Sequence, residues 1–356
     1  MRRSTRRALF QLALFFGALF FILFLNRSQP TNQIFAWNKI RYRTPSATLP
    51  EAQGICPGLS ELSKPALVVA RVTTDGDTKW LDGLSDIYHR CIYTADAPAD
   101  ATSVHLQVPA NRGHEAMAYL TFLIDNYENI PAAGAVFVHG SRFAWHNDAL
   151  DYDNAALLAA LNVSSALAPF GYHNLRCDWS LSTCPSSYTP QGSLEISTQA
   201  LLAPYDTHAV SDAALPRALA DLFGDEVKLG RTNAVRSQCC AQFVVSRDSI
   251  WQHSREEYVA LRQWLLDSKG APRDDRVAGR ILSYVWQILF IKRQPDAQGH
   301  SSGGMDLEKL NANACPRADQ CYCRLYGRCN LKGCTSPGSC PGQYVLPPKL
   351  KVENPQ

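Results

Sequence analysis

Hydrophobic positions run unbroken from Ala8 to Leu25, ALFQLALFFGALFFILFL, with Gln11 the one polar side chain among eighteen residues. At 1.5 Å rise per residue such a run makes a helix of roughly 27 Å, enough to cross a thin early-secretory bilayer. A cleaved signal peptide has a shorter apolar core, about 7–15 residues, followed by small residues at a cleavage site. Here the core is longer, and the following NRSQPTNQIFAW has no A-x-A pattern. The stretch therefore reads as an uncleaved signal anchor. Four arginines (Arg2, Arg3, Arg6, Arg7) precede it and only Arg27 follows closely, so the N-terminus is expected on the cytoplasmic side in a type II topology.

Beyond the anchor the pattern changes twice. Residues 26–65 are rich in Pro, Ser, Thr, Asn and Gln without periodicity, as expected of a stem. From Ala66 to Val72 the chain is short, apolar and β-branched, readable as a buried strand, and Trp80 to Leu84 as the start of a helix. Cys91-Ile92-Tyr93 and Val104 to Val108 are further strand candidates. Met117, Leu120, Leu123, Ile124 and Tyr127 then recur at helical spacing, with Asn111 as the predicted N-cap. Gly134 to His139 is another buried-strand run. Strands alternating with helices predict an α/β fold: a mainly parallel sheet with flanking helices.

Residues 148–230 are harder to read. Ala155 to Leu161 and residues 212–224 are helical candidates, and 171–198 reads as loop. Ala241 to Val245 is a strand candidate, and Arg255–Leu266 and Arg280–Phe290 are amphipathic or apolar helices. The predicted organisation is a cytoplasmic tail (1–7), an anchor (8–25), a stem (26–65), an α/β body (66–300) and a Cys-rich extension (301–356).

Composition sharpens this. The chain is 46% hydrophobic and 19% charged, ordinary for a globular body. Five of its 35 basic residues precede position 31, where there is no acid; the remainder has 30 basic against 32 acidic residues, a formal −2. Such a balance excludes a nucleic-acid surface. Twelve cysteines, six of them (Cys315, Cys321, Cys323, Cys329, Cys334, Cys340) within 26 residues, read as disulfides in an oxidising lumen. Cys177 and Cys184 are expected to form a local clip. Cys56 is expected to tie down the end of the stem, and the adjacent Cys239 and Cys240 to take separate partners. Asn162-Val163-Ser164 is a glycosylation sequon.

Candidate chemistry lies in polar clusters at strand ends, where open α/β sheets bind ligands. Asp77, in Asp75-Gly76-Asp77-Thr78-Lys79, is a candidate to accept from a ribose or base; the bland alternative is an Asp-Gly turn capping a helix. In Asn111-Arg112-Gly113-His114-Glu115, Arg112 is placed on a diphosphate and Glu115 as a base or a capping acid. The densest cluster runs from His139 to Asn154: His139 and Asp148 are candidate catalytic groups, with Trp145, His146 and Asn147 binding substrate. Asp151 and Asp153 have D-x-D spacing for Mn²⁺ or Mg²⁺, although a solvated loop is the commoner origin of that triplet. No G-x-G-x-x-G, P-loop or H-E-x-x-H is present, which weakens dinucleotide and zincin readings.

As a set, several pieces resemble a fungal family of uncharacterised type II membrane proteins that share a domain of unknown function. These are LVVARV with Asp77 to Leu81, NRGHEAMAYLTFLIDNYENIP (111–131), VFVHG and AWHND (136–148), GYHNLRCDW (171–179), QCCAQFVVSRDSI (238–250), Val285 to Phe290, and CPRADQCYCRLYGRC (315–329). That family's layout resembles a GT-A-type glycosyltransferase. The resemblance implies a Golgi or ER lumenal protein that transfers a sugar from a nucleotide sugar to a glycan or glycoprotein acceptor; the alternative is a non-catalytic carbohydrate-binding or scaffold protein. It also implies an acid three positions before Trp286, where this chain has Ser283.

Overall fold

The computed structural model describes residues 3–25, 39–48, 54–59, 63–96, 106–224, 227, 229–292 and 306–344. An N-terminal helix, α1 (Arg3–Leu25), contains a stretch long and apolar enough to cross a membrane, as an anchor or as a signal sequence. None of that stretch is buried against the rest of the protein.

The body is built on β1 (Ala66–Arg71), β2 (His89–Thr94), β3 (Leu106–Gln107), β4 (Ala135–His139), β5 (Tyr172–Asn174) and β6 (Phe243–Val245), in the order β3-β2-β1-β4-β6-β5. The first four are parallel, while β6 runs antiparallel to both neighbours. In register, Val68 lies beside Cys91 on one side and Phe137 on the other, and Phe137 pairs with Phe243. Strand alternation sends successive side chains to opposite faces. Ala66, Val68, Phe137, Phe243 and Val245 therefore join one core, and Leu67, Val69, Val136, Val138 and Val244 a second.

The larger core is closed by α2 (Glu115–Asp125), α6 (Thr207–Phe223), α8 (Arg255–Leu266) and α9 (Asp275–Phe290); the smaller by α3 (Asn154–Ala160), α4 (Val163–Leu167) and α11 (Ala318–Tyr326). The remaining α-helices are α5 (Leu194–Leu202), α7 (Arg247–Ile250) and α10 (Leu307–Ala314). This is a sheet with helices on both faces.

Several expectations are corrected. The segment 79–84 is a 3₁₀ turn rather than the start of an α-helix. Within the stretch read as loop, β5 pairs with β6, and α5 starts at a Ser193 cap. Helix α2 starts at Glu115, not after an Asn111 cap, because Gly113 (φ 68°) and His114 (φ 55°) take left-handed backbone just before it. Residues 40–47 do not stand off as stem: the Ile40 amide donates to Glu257 at 2.8 Å and the Arg41 amide to the Leu222 carbonyl at 2.7 Å. Of the third strand candidate, Val104 and His105 lie outside the described residues.

The cysteine pairing also differs. Cys177 bonds Cys321 and Cys184 bonds Cys315, so the expected Cys177–Cys184 clip does not form. Those bonds staple the Cys-rich segment to the body, and Cys321, Tyr322 and Leu325 sit in the smaller core. Cys323–Cys329 and Cys334–Cys340 close within the segment, and Cys56–Cys91 ties the chain before β1 to β2. With those ten sulfurs engaged, Cys239 and Cys240 pair with each other rather than with separate partners.

Candidate active-site cleft

Chain order reverses direction across the sheet at β1: β2 and β3 lie to one side and β4 to the other. Ligands of open α/β sheets bind beyond the carboxyl ends of the strands at such a switch point. The two strand ends come very close here. A Cβ on Gly140, the residue after β4, would collide with the Arg71 Cβ at the end of β1.

His139 ends β4 and projects into a cleft of about 690 Å³. Its Nε2–H donates to the Cys240 carbonyl at 2.8 Å, and its backbone N–H donates to the Gln242 side chain at 3.3 Å. A carbonyl only accepts, so the proton of the neutral imidazole is fixed on Nε2 and the Nδ1 lone pair is free. That Nδ1 faces the Glu115 carboxylate, 4.0 Å away at the first turn of α2. Both groups accept, so a water, with two O–H donors, can bridge points that far apart at ordinary hydrogen-bond distance, while a hydroxyl donates to one of them at a time.

His146 stacks on His139 with ring centroids 4.3 Å apart, and Trp145 lies 4.1 Å from His146 on the outer side, more than half exposed. Burial, followed by the neighbouring His139 and Arg176, lowers the His146 pKa to about 3. It is a neutral ring at physiological pH.

Helix α9 also lines the cleft, with Arg276, Gly279, Arg280 and Ser283 on successive turns, and Gly279 packs against Gly113 and His114. Arg280 donates to the Tyr284 hydroxyl at 3.1 Å and lies 3.9 Å from the buried Asp212 carboxylate. Positive φ at His114, Cys240 and Ala241 puts three non-glycine left-handed residues in the cleft lining. Such conformations cost about 1–3 kcal/mol each and cluster at functional sites.

Glu115, His139, Trp145 and His146 are thus brought together; other candidates are placed elsewhere. Asn147 is buried behind the loop, where it bonds the Ala144 and Tyr152 carbonyls and Asn154. Asp148 is buried too, with its pKa raised chiefly by that burial; it accepts from the Asp178 amide at 3.0 Å and the Tyr322 hydroxyl at 3.1 Å, beside Arg176. Arg112 is spent on the N-terminal end of α9, donating to Asp275 and to the Pro272 and Arg273 carbonyls, instead of facing the cleft. Asp77 is exposed and accepts from the Lys79 amide at 3.0 Å, the bland turn geometry.

Asp153 caps α3 and forms a two-point pair with Arg142 at 3.1 and 2.9 Å, while Asp151 is exposed. These two residues do not offer two free carboxylates and so do not fit a divalent cation. Among the described residues, Cys56, His89 and Cys91 come within metal-ligand distance of one another, but the two sulfurs are joined in a disulfide. Asn162 is exposed at the N-cap of α4. The pentapeptide Gly299-His300-Ser301-Ser302-Gly303 has the G-x-S-x-G form but lies outside the described residues.

Sequence reasoning missed Arg276, Arg280 and the Cys239–Cys240 wall. The available signal was two arginines four apart on one helix, a spacing that puts both on one face, with Gly279 and Ser283 beside them. Against known proteins, the family described as "Protein of unknown function (DUF3431)" matches residues 67–324. No curated protein and no solved structure matches the chain.

Proposed function

We propose, on the premise that the chain belongs to the DUF3431 family, that it is a glycosyltransferase-like enzyme, GT-A-like in layout, which moves a sugar from a nucleotide sugar to a glycan or glycoprotein acceptor. The observation that carries this reading is the gathering of unlike groups in one cleft. A proton acceptor, His139 Nδ1 beside Glu115, shares the cleft lining with two arginines, Arg276, paired with Asp274 at 3.3 Å, and Arg280.

The chemistry needs both kinds of group. The acceptor hydroxyl gives its proton to His139 Nδ1 as its oxygen bonds the anomeric carbon, and the sugar–phosphate bond breaks with its electron pair leaving on the diphosphate. Glu115 stabilises the imidazolium, and Arg276 and Arg280 offset the charge of the departing diphosphate. Because His146 stays neutral, it packs against His139 without opposing that charge. Ser283 lines the cleft and donates to the Arg280 carbonyl at 2.6 Å. With Ser283 in place of the acid that the resemblance implies, the base in this reading is His139, assisted by Glu115.

Six disulfides and the apolar α1 support residence in the Golgi or ER lumen as a type II protein. A non-catalytic carbohydrate-binding role is favoured by a single feature, the exposed Trp145 at the cleft mouth. The discriminating experiment uses the full chain in detergent, with UDP and GDP as probes, with and without Mn²⁺. A nucleoside diphosphate should raise the melting temperature, and Arg276→Ala with Arg280→Gln should abolish the rise. No shift with either nucleotide under either condition removes the transferase reading.

A further inference from the structure

A second cavity, of about 820 Å³, opens beside the cleft and shares Ser180, Ser182, Tyr188 and His208 with it. Its charge is opposite. Asp178, Asp206 and Asp212 contribute carboxylates, no Lys or Arg is among the described residues of its wall, and six Ser and one Thr contribute hydroxyls. Trp179 supplies an aromatic wall in a fixed position. Its indole N–H donates to the Pro316 carbonyl at 3.1 Å, and Gly338 packs so closely that a Cβ there would stand 2.6 Å from the ring.

The partition between the chambers is wired to both. Asp212, buried, accepts from Tyr188 at 2.6 Å and from Tyr284 at 2.7 Å, and it faces Arg280 of the cleft. Asp206 is partly engaged as the cap of α6 and by Gln199. Asp178 accepts from the Ser180 amide through Oδ1 at 2.8 Å. The buried Arg176 lies 3.9 Å from that Oδ1; the other Asp178 oxygen and the seryl hydroxyls offer hydrogen-bond partners to hydroxyl or ammonium donors, while a phosphate or carboxylate would meet the Asp178 and Asp206 carboxylates with no Lys or Arg in the described wall.

We infer that this cavity is a subsite for a sugar without negative charge, neutral or amine-bearing, stacked on Trp179 and reaching the cleft between Tyr188 and His208. Calling it the acceptor subsite rests on the transferase reading; the binding itself does not. The two chambers then divide the work by charge, anionic donor beside Arg276 and Arg280, neutral or amine-bearing acceptor beside Asp178.

The test is saturation-transfer NMR on the full chain in detergent, with glucosamine, N-acetylglucosamine and glucuronic acid as probes at equal concentration. The first two should bind and glucuronic acid should not. Asp178→Asn keeps the acceptor for the Ser180 amide and removes the charge, so it should cut glucosamine binding at least threefold while leaving the nucleotide-induced melting shift intact. Trp179→Phe should weaken both binding sugars. Sugar binding that persists without any nucleotide shift supports the subsite and overturns only the transferase reading. Glucuronic acid binding as well as glucosamine, no binding by either of the other sugars, or unchanged glucosamine binding in Asp178→Asn overturns the subsite.

Discussion

His139 and Glu115 meet across 4.0 Å with the imidazole turned so that its unprotonated nitrogen faces the carboxylate, an orientation fixed by the Cys240 carbonyl on the far side of the ring. Glu115 comes from the first turn of α2 and His139 from the last residue of β4, so two rigid elements set the separation. In the proposed transfer, His139→Gln should lower turnover of a nucleotide sugar by about 10²–10⁴-fold, since a positioned general base contributes that much. Glu115→Gln should lower it less, because the base remains. Donor turnover measured on each variant, with the nucleotide-induced melting shift as a control for folding, checks this; wild-type turnover in His139→Gln would remove His139 from the chemistry.

Two other imidazoles, His146 and His173, lower stability in acid. Burial holds His146 at about 3 and His173 at about 4, against about 6.5 in an unfolded chain. Between those values the unfolded state takes up protons that the folded state refuses, so stability is full above pH 6.5 and falls as pH drops toward 4. Thermal midpoints from pH 7.5 to 4.5 should decline, and His173→Gln, which removes one of the two groups, should flatten the decline. An equal slope in that variant would show that carboxylates dominate.

The cysteines make opposite demands. Cys177–Cys321 spans 144 residues, but Cys184–Cys315 closes 131 of them already, so the outer bond adds only the short ring between the two, which loop-closure entropy puts at about 3 kcal/mol. Cys239–Cys240 closes almost no chain, so its entropic share is negligible; its role is local, beside the carbonyl that orients His139. Cys177→Ser with Cys321→Ser should therefore lower stability by about 3 kcal/mol and the melting temperature with it. Cys239→Ser with Cys240→Ser should change the melting temperature little but lower donor turnover. Denaturation curves and turnover on the same samples separate the two, and a large stability loss in the second pair contradicts it.

What the sequence disclosed follows how far each residue reaches. Strands β1, β4 and β6 are buried on both faces and so appear as short apolar runs. Strand β5 is Tyr-His-Asn, exists by pairing with β6, and has no pattern of its own. Glu115, His139, Trp145 and His146 were legible because strand-to-helix turns gather polar residues at the ligand edge of a sheet. Arg112 and Asp148 were equally polar, yet their partners lie 163 residues away at Asp275 and 174 away at Tyr322. No local spacing signals such partners. Arg276 and Arg280 were overlooked because an arginine pair on an amphipathic helix looks like its solvent face.

Asp148 is consequently a test of structure rather than catalysis. It holds the Cys177 and Asp178 amides, Tyr322 and the buried Arg176, whose guanidinium in turn donates to the Trp145 carbonyl at 2.8 Å. Removing one partner of a buried charge pair costs about 3–5 kcal/mol. Asp148→Ala should lower the urea midpoint accordingly and loosen the Trp145 loop. A variant of wild-type stability that lacked turnover would return Asp148 to the catalytic list.

The turn before α2 makes the sharpest demand on a single side chain. Gly113 has φ 68°, and a Cβ there would stand 2.7 Å from Leu265 on α8. Its amide donates to Asp275 at 3.2 Å, so the turn is pinned to α9 as well. Gly113→Ala therefore meets two separate penalties, left-handed strain of about 1–3 kcal/mol and overpacking of similar size. Leu265→Ala opens space for the new methyl and leaves the backbone strain in place. The double variant should accordingly lose less stability than the two single losses added together, with a coupling energy of about 1 kcal/mol or more in a denaturation cycle. Strict additivity would mean that the turn moves away from α8 instead of pressing on Leu265, and Glu115 would then move with it.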